Sequence, residues 1–161
     1  ILGRSAMRHV VNVKLKGSWN GASVASVTLA FNDRHRRRIR MYDDSGDLFL
    51  LNLSDAMLLA EGGGLELDNG NIIAVRAAPE PVADIYCKNA MHLARIAWHI
   101  GNRHTAIQLL DDSSLRISDD SVLVNMVEGL SAKVKRHSAP FQPEPGAYSQ
   151  NMQVSGHEHS D

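Results

Sequence analysis

A break at Pro79-Glu80-Pro81 divides the chain into two stretches of different rhythm. Proline cannot donate to a central ladder, so a pair of them one residue apart marks a linker. Ahead of the break, apolar residues recur at every second position. Val11, Val13 and Leu15 alternate with Asn12, Lys14 and Lys16, and Val27, Leu29 and Phe31 alternate again. Residues 48–53, apolar apart from Asn52, form a strand. Asp43-Asp44-Ser45-Gly46 and Asp68-Asn69-Gly70 are hairpin turns, built from the residue types that tolerate tight backbone reversal. Short strands between such turns predict a small all-β barrel or sandwich over residues 1–79. The one helical feature expected there is a turn near residues 54–60.

Beyond the break the period lengthens. Residues 82–86 read as a strand, and Asn89 is placed to cap a helix running to Ile100. Residues 105–109 and 115–117 are strands. Asp119 or Asp120 caps a second helix, with Val122, Leu123, Met126, Val127 and Leu130 as its apolar stripe. Residues 132–136 close the series. Strand-helix-strand-strand-helix-strand is the split order of ferredoxin-like domains. The chain is therefore expected to be α+β. It comprises the β-rich domain at 1–79, a ferredoxin-like βαββαβ domain at 80–148 and a polar, flexible tail at 149–161.

Composition narrows the function classes. Apolar residues make up 43% of the 161, enough for a core, and aromatics only 5%, which makes that core aliphatic. A formal charge of −1 conceals strong patterning, because five arginines fall between Arg34 and Arg40. The single cysteine, Cys87, excludes an intramolecular disulfide and fits a reducing, cytoplasmic setting. No apolar run approaches the roughly 18 residues that span a bilayer, and no secretory signal is expected. No phosphate-binding glycine loop or Ser/His/Asp constellation is present, so an enzyme is not expected.

Histidine carries the candidate chemistry. Trp98-His99-Ile100-Gly101-Asn102-Arg103-His104 reads as a last helical turn, a Gly/Asn stop and a histidine entering the next strand. Gly101 is expected to supply the left-handed residue at the helix end. His104 then sits on a corner. One imidazole makes a poor metal site, but a two-fold axis brings each residue opposite its own copy. Two copies of His104 could hold nickel, copper or zinc, all of which accept imidazole readily. His157 and His159 form a second, short metal-compatible tract in the tail. His92 and His99, on a stripe with Arg95, are read as solvated structural residues, and Cys87 as a packed thiol. His9, His35 and His137 receive no role. In strand phase Arg34, Arg36, Arg38 and Arg40 share one face, opposite Ile39 and Met41, which is an electrostatic footprint for an acidic partner or nucleic acid. It lacks the aromatic interleaving of a single-strand binder, and charge on an edge strand also prevents aggregation.

Residues 97–104, Ala-Trp-His-Ile-Gly-Asn-Arg-His, resemble the helix-end motif of the urease accessory protein E family, the urease nickel metallochaperones. Residues 33–40, 74–81 and 139–148 are similar to the family in the same order. The resemblance implies a homodimer with nickel held at the interface. The family's interface histidine falls on His104, and its histidine-bearing tail on the segment with His157 and His159. It also implies the urease accessory GTPase and the urease apoprotein complex as partners, with no membrane and no nucleic acid expected. Two departures stand out: Ser118, Asp119, Asp120 and Ser121 occupy a position where some members carry histidines, and the tail holds two histidines instead of a long run. Both predict fewer ions per dimer. The expected function is delivery of nickel during urease maturation. The competing expectation is a nucleic-acid or acidic-partner module built on the arginine strand.

Overall fold

The computed structural model describes residues 6–146. These fall into two compact units, residues 6–81 with 138–142, and residues 82–137 with 143–146.

The first unit is a six-stranded sheet: β1 (Arg8–Lys14), β2 (Ala25–Leu29), β3 (His35–Tyr42), β4 (Leu48–Leu58), β5 (Gly64–Leu67) and β6 (Ile72–Ala77), in the order β2-β6-β5-β1-β4-β3. The β1–β4 and β2–β6 pairs are parallel and the others antiparallel. One core lines it, with Val10, Phe49, Leu51, Leu65 and Ile73 fully buried. The two ends of the sheet, β2 and the β3–β4 hairpin, are joined through Asp44. Its carboxylate accepts from the Ser26 hydroxyl (2.6 Å), the Thr28 hydroxyl (2.9 Å) and the Thr28 N–H (3.0 Å), while its own N–H donates to the Ser26 carbonyl (2.8 Å). A side-chain clasp thus curls the sheet.

Two sequence expectations fail here for one reason. Val10, and not Val11, points inward, because the β1 register shifts between Val10 and Asn12. Likewise β4 continues through the expected helical turn to Leu58. The register against β3 jumps between Arg36 and Arg38, so β4 carries extra residues there. A bulge adds a residue to one strand and reverses the facing of every later side chain on it, and simple alternation does not reveal this.

The second unit contains β7 (Pro79–Tyr86), α1 (Ala90–Gly101), β8 (Gln108–Leu109), β9 (Ser114–Ser118), α2 (Ser121–Gly129) and β10 (Lys133–Pro140). Its sheet order, β10-β7-β9-β8, is the ferredoxin-like arrangement of a βαββαβ chain. Asn89 caps α1 by accepting from the His92 N–H (2.9 Å), and Asp120 caps α2 by accepting from Val122 (2.9 Å) and Leu123 (3.0 Å). Ile96, Ile100, Leu115 and Ile117 are fully buried between helices and sheet, each contributing about 1.5–3 kcal/mol by leaving water. On α2 the stripe is rotated from the expected one: Val124 is buried, while Val122, the second helical residue, is 75% exposed. The strand expected at 105–109 shortens to two residues, since the Ile107 carbonyl accepts from the Glu144 N–H (2.7 Å). Pro79 and Pro81 precede the first rung between β7 and β9, Val82 opposite Ser118, so neither interrupts that ladder.

Candidate metal-binding site

Helix α1 ends by tightening. Asn102 still donates to the carbonyl four residues back, at Trp98 (2.9 Å), but Arg103 donates to Ile100 (3.1 Å) and His104 to Gly101 (2.9 Å). This narrowing satisfies terminal carbonyls that a full turn would leave open. The left-handed position expected at Gly101 falls instead on His104, at φ 56°, while Gly101 remains helical. A left-handed residue with a Cβ costs about 1–2 kcal/mol, and such positions cluster where function holds them. The His104 side chain stands exposed at this corner.

The neighbouring histidines differ from it. His92, expected on a solvated stripe, is buried: Nδ1 accepts from the Lys88 N–H (3.0 Å) and Nε2 donates to the Leu130 carbonyl (2.8 Å). Both ring nitrogens are spent tying the start of α1 to the end of α2, which removes His92 from any ligand set. His99 is half-buried, its ring edge-on to Trp98 at 4.9 Å between centroids. Trp98 and Met91, seven residues apart on α1, are 63% and 71% exposed. Cys87 is half-buried against the core, and burial pushes its thiol pKa up, away from the thiolate a metal requires. Among the described residues no three His, Cys, Asp or Glu side chains gather into a metal-sized group. His157 and His159 lie outside the described residues.

The arginine row also divides. Arg34 leaves the strand face: it caps the 3-10 turn Phe31–Asp33, is 1% exposed, donates through Nη2 to the Phe141 carbonyl and lies 5.8 Å from the centroid of the Phe31 ring. Burial pushes its guanidinium pKa down, against the charges of Glu80 and Glu61. Arg36 pairs with Asp33 at 2.9 Å. Arg38 and Arg40 stand exposed on β3.

A charged cluster went unread in the sequence. Asp84 on β7, 5% exposed, accepts from Arg116 on β9 and contacts His137 on β10. An acidic residue set within the apolar run Val82, Ala83 and Ile85 was the available signal.

A curled β unit and a ferredoxin-like unit, the latter with an exposed histidine just beyond its first helix, define a two-domain α+β protein. Residues 7–78 match the N-terminal domain, and residues 80–161 the C-terminal domain, of the UreE urease accessory protein. The urease accessory protein UreE of Beijerinckia indica subsp. indica is 42% identical over 154 residues, 96% of this chain and 88% of the relative. That of Bradyrhizobium sp. strain BTAi1 is 44% identical over 143 residues, 89% and 69% of the two chains. That of Chelativorans sp. strain BNC1 is 46% identical over 134 residues, 83% and 84%. The chain belongs to the UreE urease accessory protein family, and is an accessory protein and not an enzyme. No helix among the described residues is long and apolar enough to cross a membrane.

Proposed function

We propose that this chain is a nickel metallochaperone that delivers its ion during maturation of the urease active site. The observation that carries this reading is His104, an exposed imidazole held in a left-handed turn at the end of α1. Because a first-row ion takes about four to six donors, one such ring is incomplete alone. A homodimer would bring two copies of His104 to one ion. Met91 and Trp98, exposed on one stripe of the same helix, support such pairing, since an apolar patch gains by leaving water. In this reading residues 80–148 bind metal and dimerise, and His157 and His159 in the tail complete the coordination. Zinc and copper would occupy the same nitrogen donors in vitro.

Few fixed ligands on an exposed corner favour release by ligand exchange, which a delivery protein requires. The receiving partners in this proposal are the urease accessory GTPase and the urease apoprotein complex, in the cytoplasm. Nickel titration by calorimetry, with mass followed by light scattering, tests it on wild type, His104→Ala and a chain truncated after Tyr148. One tight ion per dimer, abolished by His104→Ala and weakened by truncation, is expected. Equal binding by wild type and His104→Ala would overturn the shared site.

A further inference from the structure

We propose that the outward face of β3, centred on Arg38, Arg40 and Tyr42, docks a protein surface of carboxylates surrounding an apolar side chain. The proposal rests on the chain serving a partner as an accessory protein, and not on the identity of the metal. Alternation along β3 turns Ile39 and Met41 toward the core and leaves Arg38, Arg40 and Tyr42 outward. Tyr42 is 66% exposed, a large aromatic ring held out on a regular strand in a protein that has few.

The register fixes what surrounds these three. Arg38 lies opposite Asn52, Arg40 opposite Leu50 and Tyr42 opposite Leu48, and Leu50 is in turn opposite His9 on β1. Across the next strands, then, the basic side chains meet neutral and apolar neighbours. Among the described residues no carboxylate comes within ion-pair distance of Arg37, Arg38 or Arg40, whereas Arg8, Arg36, Arg116 and Arg136 each have one. Uncompensated guanidiniums beside an exposed tyrosine and partly exposed leucines are the composition of protein–protein contact centres, in which Tyr and Arg are enriched. Val11, 54% exposed on β1, extends the apolar part.

Charge complementarity selects the occupant. A nucleic acid would supply the negative charge but leave Leu48, Leu50 and Val11 without apolar contact, and a single ring makes no stacking platform. A protein surface with Asp or Glu around a Leu or Phe satisfies both parts. The arginines steer the encounter and the apolar centre holds it.

The test uses the full chain, isotope-labelled for NMR, with a short fluorescein-labelled peptide rich in Glu around a central Leu-Phe pair. A Gln-for-Glu counterpart and a short duplex DNA serve as comparison probes. Salt-sensitive binding of the Glu peptide is expected, with shifts at Arg38, Arg40, Tyr42 and Val11. The double variant R38E/R40E should weaken it about tenfold or more. Tyr42→Ala should weaken it while leaving the salt dependence unchanged. Nickel titrations on the same variants should match wild type, so failure of the metal reading would be seen separately. No binding of the Glu peptide at millimolar concentration, equal binding of the Gln peptide, insensitivity to R38E/R40E, or tighter binding of the duplex DNA would each overturn the proposal.

Discussion

Asp84 Oδ2 and His137 Nε2 lie 2.7 Å apart, joining β7 to β10, while the other side of the same carboxylate takes Arg116 Nε from β9 at 2.6 Å. Three adjacent strands are thereby tied at one point. Burial alone would raise the Asp84 pKa, but the hydrogen bonds from Arg116 and His137 outweigh it and hold the carboxyl below its usual range. Arg116 responds in the opposite sense, its pKa raised by Asp84 against burial.

Replacing Asp84 by Asn keeps the shape and removes the charge that both bases face. The expected loss is about 2–3 kcal/mol at neutral pH, because a guanidinium that is mostly buried loses its counterion. A depressed carboxyl contributes fully above its unfolded value near about 3.9 and loses that contribution as pH falls through the folded one. Urea unfolding of wild type and Asp84→Asn should therefore show a gap at neutral pH that narrows below about pH 4. A gap independent of pH down to the acid limit would refute the ion-pair account.

Much of this architecture is legible in the sequence because local chemistry decided it. Asn89 and Asp120 cap the two helices because a short side-chain oxygen satisfies N–H groups that the first turn leaves open. Asp68-Asn69-Gly70 reverses the chain between β5 and β6, with Gly70 at φ 85°. What misled was non-local. The face on which Val11 falls depends on a bulge set by pairing to β5. Val122 points outward and Val124 inward because the buried face of α2 is chosen by the sheet beneath it and not by its own periodicity. Arg34 reads as one of a row, yet Phe141, 107 residues on, supplies the carbonyl that takes it inside. The motif at residues 97–104 reads correctly as a helix end followed by a corner, while the left-handed backbone of His104 emerged only in three dimensions.

Arg34 is a structural residue, separable by experiment from its neighbours in sequence. Arg34→Met and Arg34→Lys should each destabilise the protein by about 1–3 kcal/mol, since neither can reach the Phe141 carbonyl while lying over the Phe31 ring. Below their melting transitions both should bind the Glu-rich peptide as wild type does. Thermal unfolding paired with fluorescence anisotropy checks both statements. A stable Arg34→Lys protein that fails to bind the peptide would return Arg34 to the docking face.

Nickel binding should depend on pH with a definite sign. Histidine coordinates only as the neutral ring, and the ordinary imidazole titrates near about 6.5, so affinity falls as pH drops through that range. Calorimetric titrations between pH 8 and pH 5 should show progressive weakening. Affinity unchanged across this window would exclude histidine as the principal donor.

The end of α1 allows stability and metal binding to be pulled apart. Gly101 is helical with nothing within 4 Å of where a Cβ would sit, so Gly101→Ala should be neutral or gain up to about 1 kcal/mol. Were Gly101 the left-handed residue instead, the same change would cost about 1–2 kcal/mol, so its sign tests which residue bears the strain. His104 carries the positive φ, and His104→Gly relieves the clash of its Cβ with the backbone at the price of a more flexible unfolded chain. The net expectation is a protein at least as stable as wild type that no longer binds nickel tightly. Urea unfolding of both variants, with nickel titration of each, measures this directly. Retained stability with lost binding in His104→Gly would mean that the corner tolerates a strained residue for the sake of its imidazole. A marked loss of stability would show that the ring itself packs to hold the turn.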